Sequence, residues 1–260
     1  MSSLPLEGKK VLITREQSQA TSLAKQLIQV GATPVIVPLI AFRKLQLDSL
    51  IVESIPTYDW LLFTSQNGVT HFFQQFDHEQ LSFLDKVKIA AVGTKTKEKL
   101  LQFVDKIDFV PTKFTGDDLA EELKKVCSRD EKILLVKGNL ARNVIVKELS
   151  ESGYDIQAVT VYETYLPIEN KELLSQVLTN EKIDIITFTS PSTVEHFVQI
   201  LGEDQIEQVL SGKVIACIGP ITERKAKSYG IAVHVSPKTY TTEQLVEELV
   251  QFYLNEEEKE

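Results

Sequence analysis

Short apolar runs rich in β-branched residues recur along the chain: VLIT (11–14), VIVPLI (35–40), LLFTS (61–65), IAAVG (89–93), ILLVK (133–137), IITFTS (185–190) and VIACIG (214–219). Between them lie segments with apolar residues at helical spacing, bounded by Gly, Ser or Thr; TGDDLAEELKKV (115–126) and TTEQLVEELVQF (241–252) are the clearest. The runs have the length of strands, and they are apolar at successive rather than alternate positions. That is the pattern of parallel strands covered on both faces. Strand, helix and strand in recurrence predict an α/β chain built on parallel sheets.

The pattern also repeats. DWLLFTSQNGVTHFF (59–73) returns as DIITFTSPSTVEHFV (184–198), so that Asp59, Phe63, Ser65, Val69 and His71 correspond to Asp184, Phe188, Ser190, Val194 and His196. VKIAAVGTKTKEK (87–99) returns as KVIACIGPITERK (213–225), aligning Gly93 with Gly219 and Thr96 with Thr222. Upstream, residues 9–42 resemble 131–164, aligning Arg15 with Lys137 and Gly31 with Gly153. Matches in one order through both halves indicate duplication, and 260 residues suffice for two lobes with a core each. Extended, proline-marked stretches near 37–42 and 161–167 are candidates for a two-stranded hinge.

Composition narrows the function classes. With 43% hydrophobic and 25% charged residues the chain is of ordinary globular type. It lacks the apolar run of about 18 residues that a membrane span needs. MSSLPLEGKK has no apolar segment of a signal peptide, so the cytoplasm is the expected location. Cys127 and Cys217 are the only cysteines, and Cys217 sits inside an apolar run, so neither a disulfide nor a zinc site is expected. His71, His78, His196 and His234 lack ligand spacing, and no metal is expected. A net charge of −9 argues against a nucleic-acid partner. A polyanionic ligand would then need local donors.

The twin motifs FTSQNGV and FTSPSTV set Ser and Thr between a strand and a helix, where a hydroxyl caps the helix and backbone N–H groups face an anion. A plain cap explains one such motif. Its recurrence at strand carboxyl ends, where open α/β sheets bind ligands, makes Ser65, Asn67, Gly68, Ser190, Ser192 and Thr193 candidate binding positions. AVGTKT and CIGPIT add Thr96 and Thr222. KGNLAR adds Lys137, Asn139 and Arg142, which either hold carboxylates or are solvated charges at a helix start. No GxGxxG, GxxxxGK[ST] or GxSxG element is present, so nothing points to a nucleotide cofactor or a serine nucleophile.

Taken in order, VLITR, FTSQNGV, AVGTKT, KGNLAR, VYETY, FTSPSTV and CIGPIT resemble the motif series of the uroporphyrinogen-III synthases over essentially the whole chain. The resemblance implies two similar parallel-sheet α/β lobes, flavodoxin/Rossmann-like, joined by a two-stranded linker. It implies a swapped pairing, with 1–36 and 168–260 as one lobe, 42–162 as the other, and 37–41 and 163–167 as linkers. It further implies a cofactor-free cyclising lyase acting on hydroxymethylbilane in the cleft between the lobes. Water is lost, and a spiro intermediate inverts ring D to give uroporphyrinogen III.

By the same resemblance Tyr162 matches the tyrosine that assists loss of the hydroxyl; otherwise it is a strand tyrosine packed at the hinge. Ser65, Thr96, Ser190 and Thr222 match positions near the cleft, and Arg15 and Arg142 match basic ones. Because 66–68 reads Gln-Asn-Gly and 191–193 reads Pro-Ser-Thr, the lobes are not expected to grip a ligand identically. A monomer without membrane partners is expected, with handover from hydroxymethylbilane synthase. A non-enzymatic two-lobed clamp shares the paired lobes. A nucleotide-sugar transferase would need a phosphate-binding glycine loop and an acidic ribose contact that the sequence lacks.

Overall fold

The computed structural model describes residues 4–112, 116–141 and 143–257. The chain divides into two compact units: Met1–Ala41 with Tyr165–Glu260, the terminal unit, and Phe42–Thr164, the central unit in sequence. Both are α/β units.

The terminal unit holds a four-stranded parallel sheet in the order β2-β1-β8-β9, from β1 (Lys10–Ile13), β2 (Thr33–Ile36), β8 (Ile185–Phe188) and β9 (Val214–Cys217). Val235 adds a parallel bridge to Ala216. Successive strand residues face opposite sides. Val11, Ile13 and Ile185 therefore pack under α1 (Gln17–Gln29) and α11 (Thr242–Glu257). Leu12, Ile186 and Phe188 pack under α7 (Glu169–Asn180), α8 (Pro191–Leu201), α9 (Glu203–Leu210) and α10 (Pro220–Ser228). Helix α1 buries Ala20, Leu23, Ala24 and Leu27, the spacing of one helical face.

The central unit holds a five-stranded sheet in the order β3-β7-β6-β4-β5, from β3 (Ala41–Lys44), β4 (Trp60–Phe63), β5 (Lys88–Ala91), β6 (Lys132–Gly138) and β7 (Asp155–Tyr165). The short α2 (Ser49–Ser54) precedes β4, and Phe109 bridges Ala90 in parallel. Trp60, Leu62, Ile133 and Leu135 meet α5 (Gly116–Leu123) and α6 (Val144–Glu151) on one face. Leu61, Phe63, Leu134 and Val136 meet α3 (Gln66–Phe73) and α4 (Thr94–Leu100) on the other.

The repeat aligns β1 with β6, β2 with β7, β8 with β4 and β9 with β5, and each aligned set has the same neighbours. Counting Val235, the terminal unit shows the flavodoxin-like order 2-1-3-4-5. In the central unit β6 and β7 follow β4 and β5 in the chain instead of preceding them. The second unit is therefore a circular permutation of the first, inserted after β2.

Two runs differ from a simple strand reading. VIVPLI is not one strand: β2 stops at Ile36. Val37 and Leu39 still donate to the carbonyls of Ile13 (3.0 Å) and Thr14 (2.9 Å). VYETY lies within the eleven-residue β7, between β6 and β3.

Candidate functional site

In an open α/β sheet the helices leave opposite faces where the strand order reverses, and ligands bind outside the strand carboxyl ends there. That point lies between β1 and β8 in the terminal unit and between β6 and β4 in the central unit. Leaving β1 and β8, the chain passes Arg15 and Ser190; leaving β6 and β4, it passes Asn139 and Ser65. In each unit, residues far apart in sequence thus come to one sheet edge.

The two serines occupy matching backbone conformations, φ −157° and ψ 152° at Ser65, φ −158° and ψ 157° at Ser190. Ser65 Oγ accepts from the Gly68 N–H at 3.0 Å, and Ser190 Oγ accepts from the Thr193 N–H at 3.3 Å. Each cap satisfies one of the orphan donors of its helix start. The N–H groups of Gln66 and Asn67 remain in the first turn of α3. Pro191 has none, so α8 presents one donor fewer. Asn67 and Ser192 are half-buried. Thr193 is fully buried, and its hydroxyl donates to the Ser190 carbonyl at 2.7 Å.

Thr96 and Thr222, on α4 and α10, are also buried residues. Gly93, before α4, has φ +89°, in the region that favours glycine. Arg15 is half-buried and donates from Nε to Gln19 at 2.7 Å. Burial lowers its pKa, with Glu16 and Glu243 opposing the shift. Arg142 lies outside the described residues.

Lys137 is not a solvated charge. It is buried, and its ammonium donates to Asn143 Oδ1 at 2.6 Å and to the Ala141 carbonyl at 3.3 Å, bracing the loop that leads into α6. Asn139 is exposed, yet both ends of its amide bond the Thr164 backbone, at 3.2 and 2.9 Å.

Tyr162 is 9% exposed on β7, with its hydroxyl 3.3 Å from Ser65 Oγ. Its ring meets Phe42 edge-on, at 5.8 Å between centroids, and His71 at 5.5 Å. The order of the motifs does not reveal the contacts of Tyr162 with Ser65 and His71. The aligned histidines do mark the spot, since His196 of the terminal unit donates from Nδ1 to the Leu39 carbonyl at 2.5 Å, one residue from the position aligned with Tyr162.

Among the described residues, no three His, Cys, Asp or Glu side chains gather as a metal site. No helix of the described residues is long and apolar enough to cross a membrane.

The family described as Uroporphyrinogen-III synthase HemD matches residues 21–247. The chain belongs to this family. Uroporphyrinogen-III synthase from Synechococcus elongatus is 30% identical over 255 residues, which cover 95% of this chain and 96% of that protein. Porphyrin biosynthesis protein HemD from Ruminiclostridium josui is 30% identical over 252 residues. That match covers 95% of this chain but 49% of the relative, so the chain spans about half of its length. The fold is shared with a uroporphyrinogen III synthase variant from the extreme thermophile Thermus thermophilus (TM-score 0.69, 16% identity, covering 95% of this chain and 100% of that one). It is shared too with the Helicobacter pylori enzyme (TM-score 0.64, 18% identity, covering 94% and 98%). Membership makes the chain a cyclising lyase of tetrapyrrole biosynthesis.

Proposed function

We propose that this uroporphyrinogen-III synthase family member closes linear hydroxymethylbilane to uroporphyrinogen III, with loss of water and inversion of ring D through a spiro intermediate. The observation that carries the reading is the recurrence of a serine-capped helix start at the strand-order reversal of both units, at Ser65 and Ser190. Backbone N–H groups at these starts hold acetate and propionate groups without net positive charge, which suits a chain of net charge −9. Holding both ends of a flexible substrate removes most of the entropy cost of the correct closure and disfavours the uncatalysed one.

Tyr162 donates its phenol hydrogen to the departing hydroxyl. The C–O bond breaks, the oxygen keeps the electron pair and leaves as water with that proton, and the adjacent pyrrole nitrogen shares the positive charge. The proton released when the macrocycle closes restores the phenol. The atoms balance as hydroxymethylbilane to uroporphyrinogen III plus water.

We assign the flexible connection to 37–41 and 163–167, and the working form to a cytoplasmic monomer that receives its substrate from hydroxymethylbilane synthase. Sedimentation of the purified chain tests the monomer. The central test supplies enzymatically generated hydroxymethylbilane, oxidises the products and separates the isomers. Isomer III in excess of the uncatalysed reaction is expected; isomer I alone rejects the reading.

A further inference from the structure

We infer that Ser65 acts on the reaction through Tyr162, as the positioning residue for its phenol, and that Gly138 is the floor on which the phenol ring lies. The inference rests on the role given above to Tyr162. It concerns the central unit alone.

Three observations converge on that ring. First, the pairing of β6 with β7 is regular from Lys132↔Asp155 to Lys137↔Thr160, then shifts by one residue so that Gly138 stands opposite Tyr162. Such an irregularity re-aims the side chains beyond it. Second, a Cβ on Gly138 would fall 2.4 Å from Tyr162 Cζ and 2.7 Å from its hydroxyl oxygen. Gly138 is not among the glycines with positive φ, so it is the ring, not the backbone conformation, that requires glycine here. Third, Ser65 Oγ accepts from the Gly68 N–H at 3.0 Å and stands 3.3 Å from the Tyr162 hydroxyl.

Either hydroxyl could donate across this pair, and the role proposed for Tyr162 selects the direction. A serine hydroxyl has one hydrogen and two lone pairs, and the Gly68 N–H occupies one lone pair. With the Ser65 hydrogen directed to the Tyr162 oxygen, the phenol keeps its own hydrogen for a departing hydroxyl. The opposite direction would consume the hydrogen that catalysis needs. At 3.3 Å this bond is longer than an ordinary O–H···O bond, and it tightens when the phenol is engaged. Ser190 makes the same cap, but the residue aligned with Tyr162 in that unit is Ile40, which has no hydroxyl. The device belongs to one half of the duplicated chain.

The experiment compares Ser65→Ala, Ser65→Thr, Gly138→Ala, Tyr162→Phe and the Ser65→Ala/Tyr162→Phe pair. Ser65→Ala is expected to lower kcat about fivefold, the worth of one hydrogen bond, with KM little changed. Adding it to Tyr162→Phe should cause no further loss, and Ser65→Thr should restore the rate. In Gly138→Ala the contact is with the end of a side chain, so the ring moves while the unit folds, and kcat falls toward that of Tyr162→Phe.

A second readout uses protein without substrate. The 13C resonance of Tyr162 Cζ, assigned among the seven tyrosines by its loss in Tyr162→Phe, should move in Ser65→Ala and Gly138→Ala and stay in Ser65→Thr. A Ser65→Ala variant that raises KM at unchanged kcat makes Ser65 a carboxylate ligand and overturns the inference. Multiplicative losses in the double variant, or an unmoved resonance, do the same. Wild-type turnover in Tyr162→Phe removes the catalytic role and the inference with it. Failure to form isomer III, with the resonance shifts as expected, sinks the activity but leaves the positioning geometry standing.

Discussion

Thr187 tests how the two ends of the chain are joined in the terminal unit. It is fully buried in β8, and its hydroxyl donates to the Leu12 carbonyl of β1 at 3.0 Å. Thr14 returns a bond of 2.8 Å from its hydroxyl to the Thr187 carbonyl. Thr187→Val keeps the shape and exchanges the hydroxyl for a methyl. The Lys10 carbonyl already accepts from the Asp184 N–H, so the alternation of the ladder turns the Leu12 carbonyl toward β8 as well. It therefore loses a second donor, not its only one, which holds the loss near the middle of the range for a hydrogen bond, about 1 kcal/mol. A methyl placed about 3 Å from a carbonyl oxygen adds crowding, for a total of about 1–2 kcal/mol. For a unit of this size that lowers Tm by roughly 5 °C. Thermal melts followed by circular dichroism measure it, and an unchanged or raised Tm would refute the reasoning.

The remaining expectations concern the thiols, the caps and acid. Burial pushes both Cys127 and Cys217 up to about 12, so a thiol reagent at neutral pH should label neither in the native protein and both after denaturation; rapid native labelling would contradict the packing. Ser190→Ala should cost about 1 kcal/mol in urea unfolding through loss of the α8 cap, and Ser190→Asp should recover most of it. Burial alone would raise Asp108, but bonds from Lys106 and from the Ile89 N–H outweigh it and hold the carboxyl below its ordinary range. A depressed carboxyl stabilises the fold above the unfolded pKa, and that contribution disappears as pH falls through the folded one. Asp108→Asn should therefore lower Tm at pH 7, with the gap from wild type closing toward pH 3; a gap that widens in acid reverses the sign.

Much was legible in the residues themselves because it is local. Apolar runs such as ILLVK and IITFTS specify two-sided strands through composition alone, and Ser65 and Ser190 cap their helices through bonds that reach three residues along the chain. The duplication was legible because both copies kept those local requirements, and the burial of Cys217 followed from the apolar run around it.

Strand order was not legible from periodicity, because a period shows which residues face inward but not which strand lies alongside. That β8 pairs with β1, and that the central unit is a permuted copy, depends on contacts between segments far apart in the chain. Lys137 read as a basic group on offer, but only the folded loop supplies the Asn143 and Ala141 oxygens that hold its buried ammonium. Gly138, Tyr162, Ser65 and His71 meet only because a one-residue shift between β6 and β7 aims a phenol across the sheet edge. Local sequence determines the conformation and facing of each segment; which segments meet, and so what chemistry their side chains can share, is decided by long-range packing that no single segment encodes.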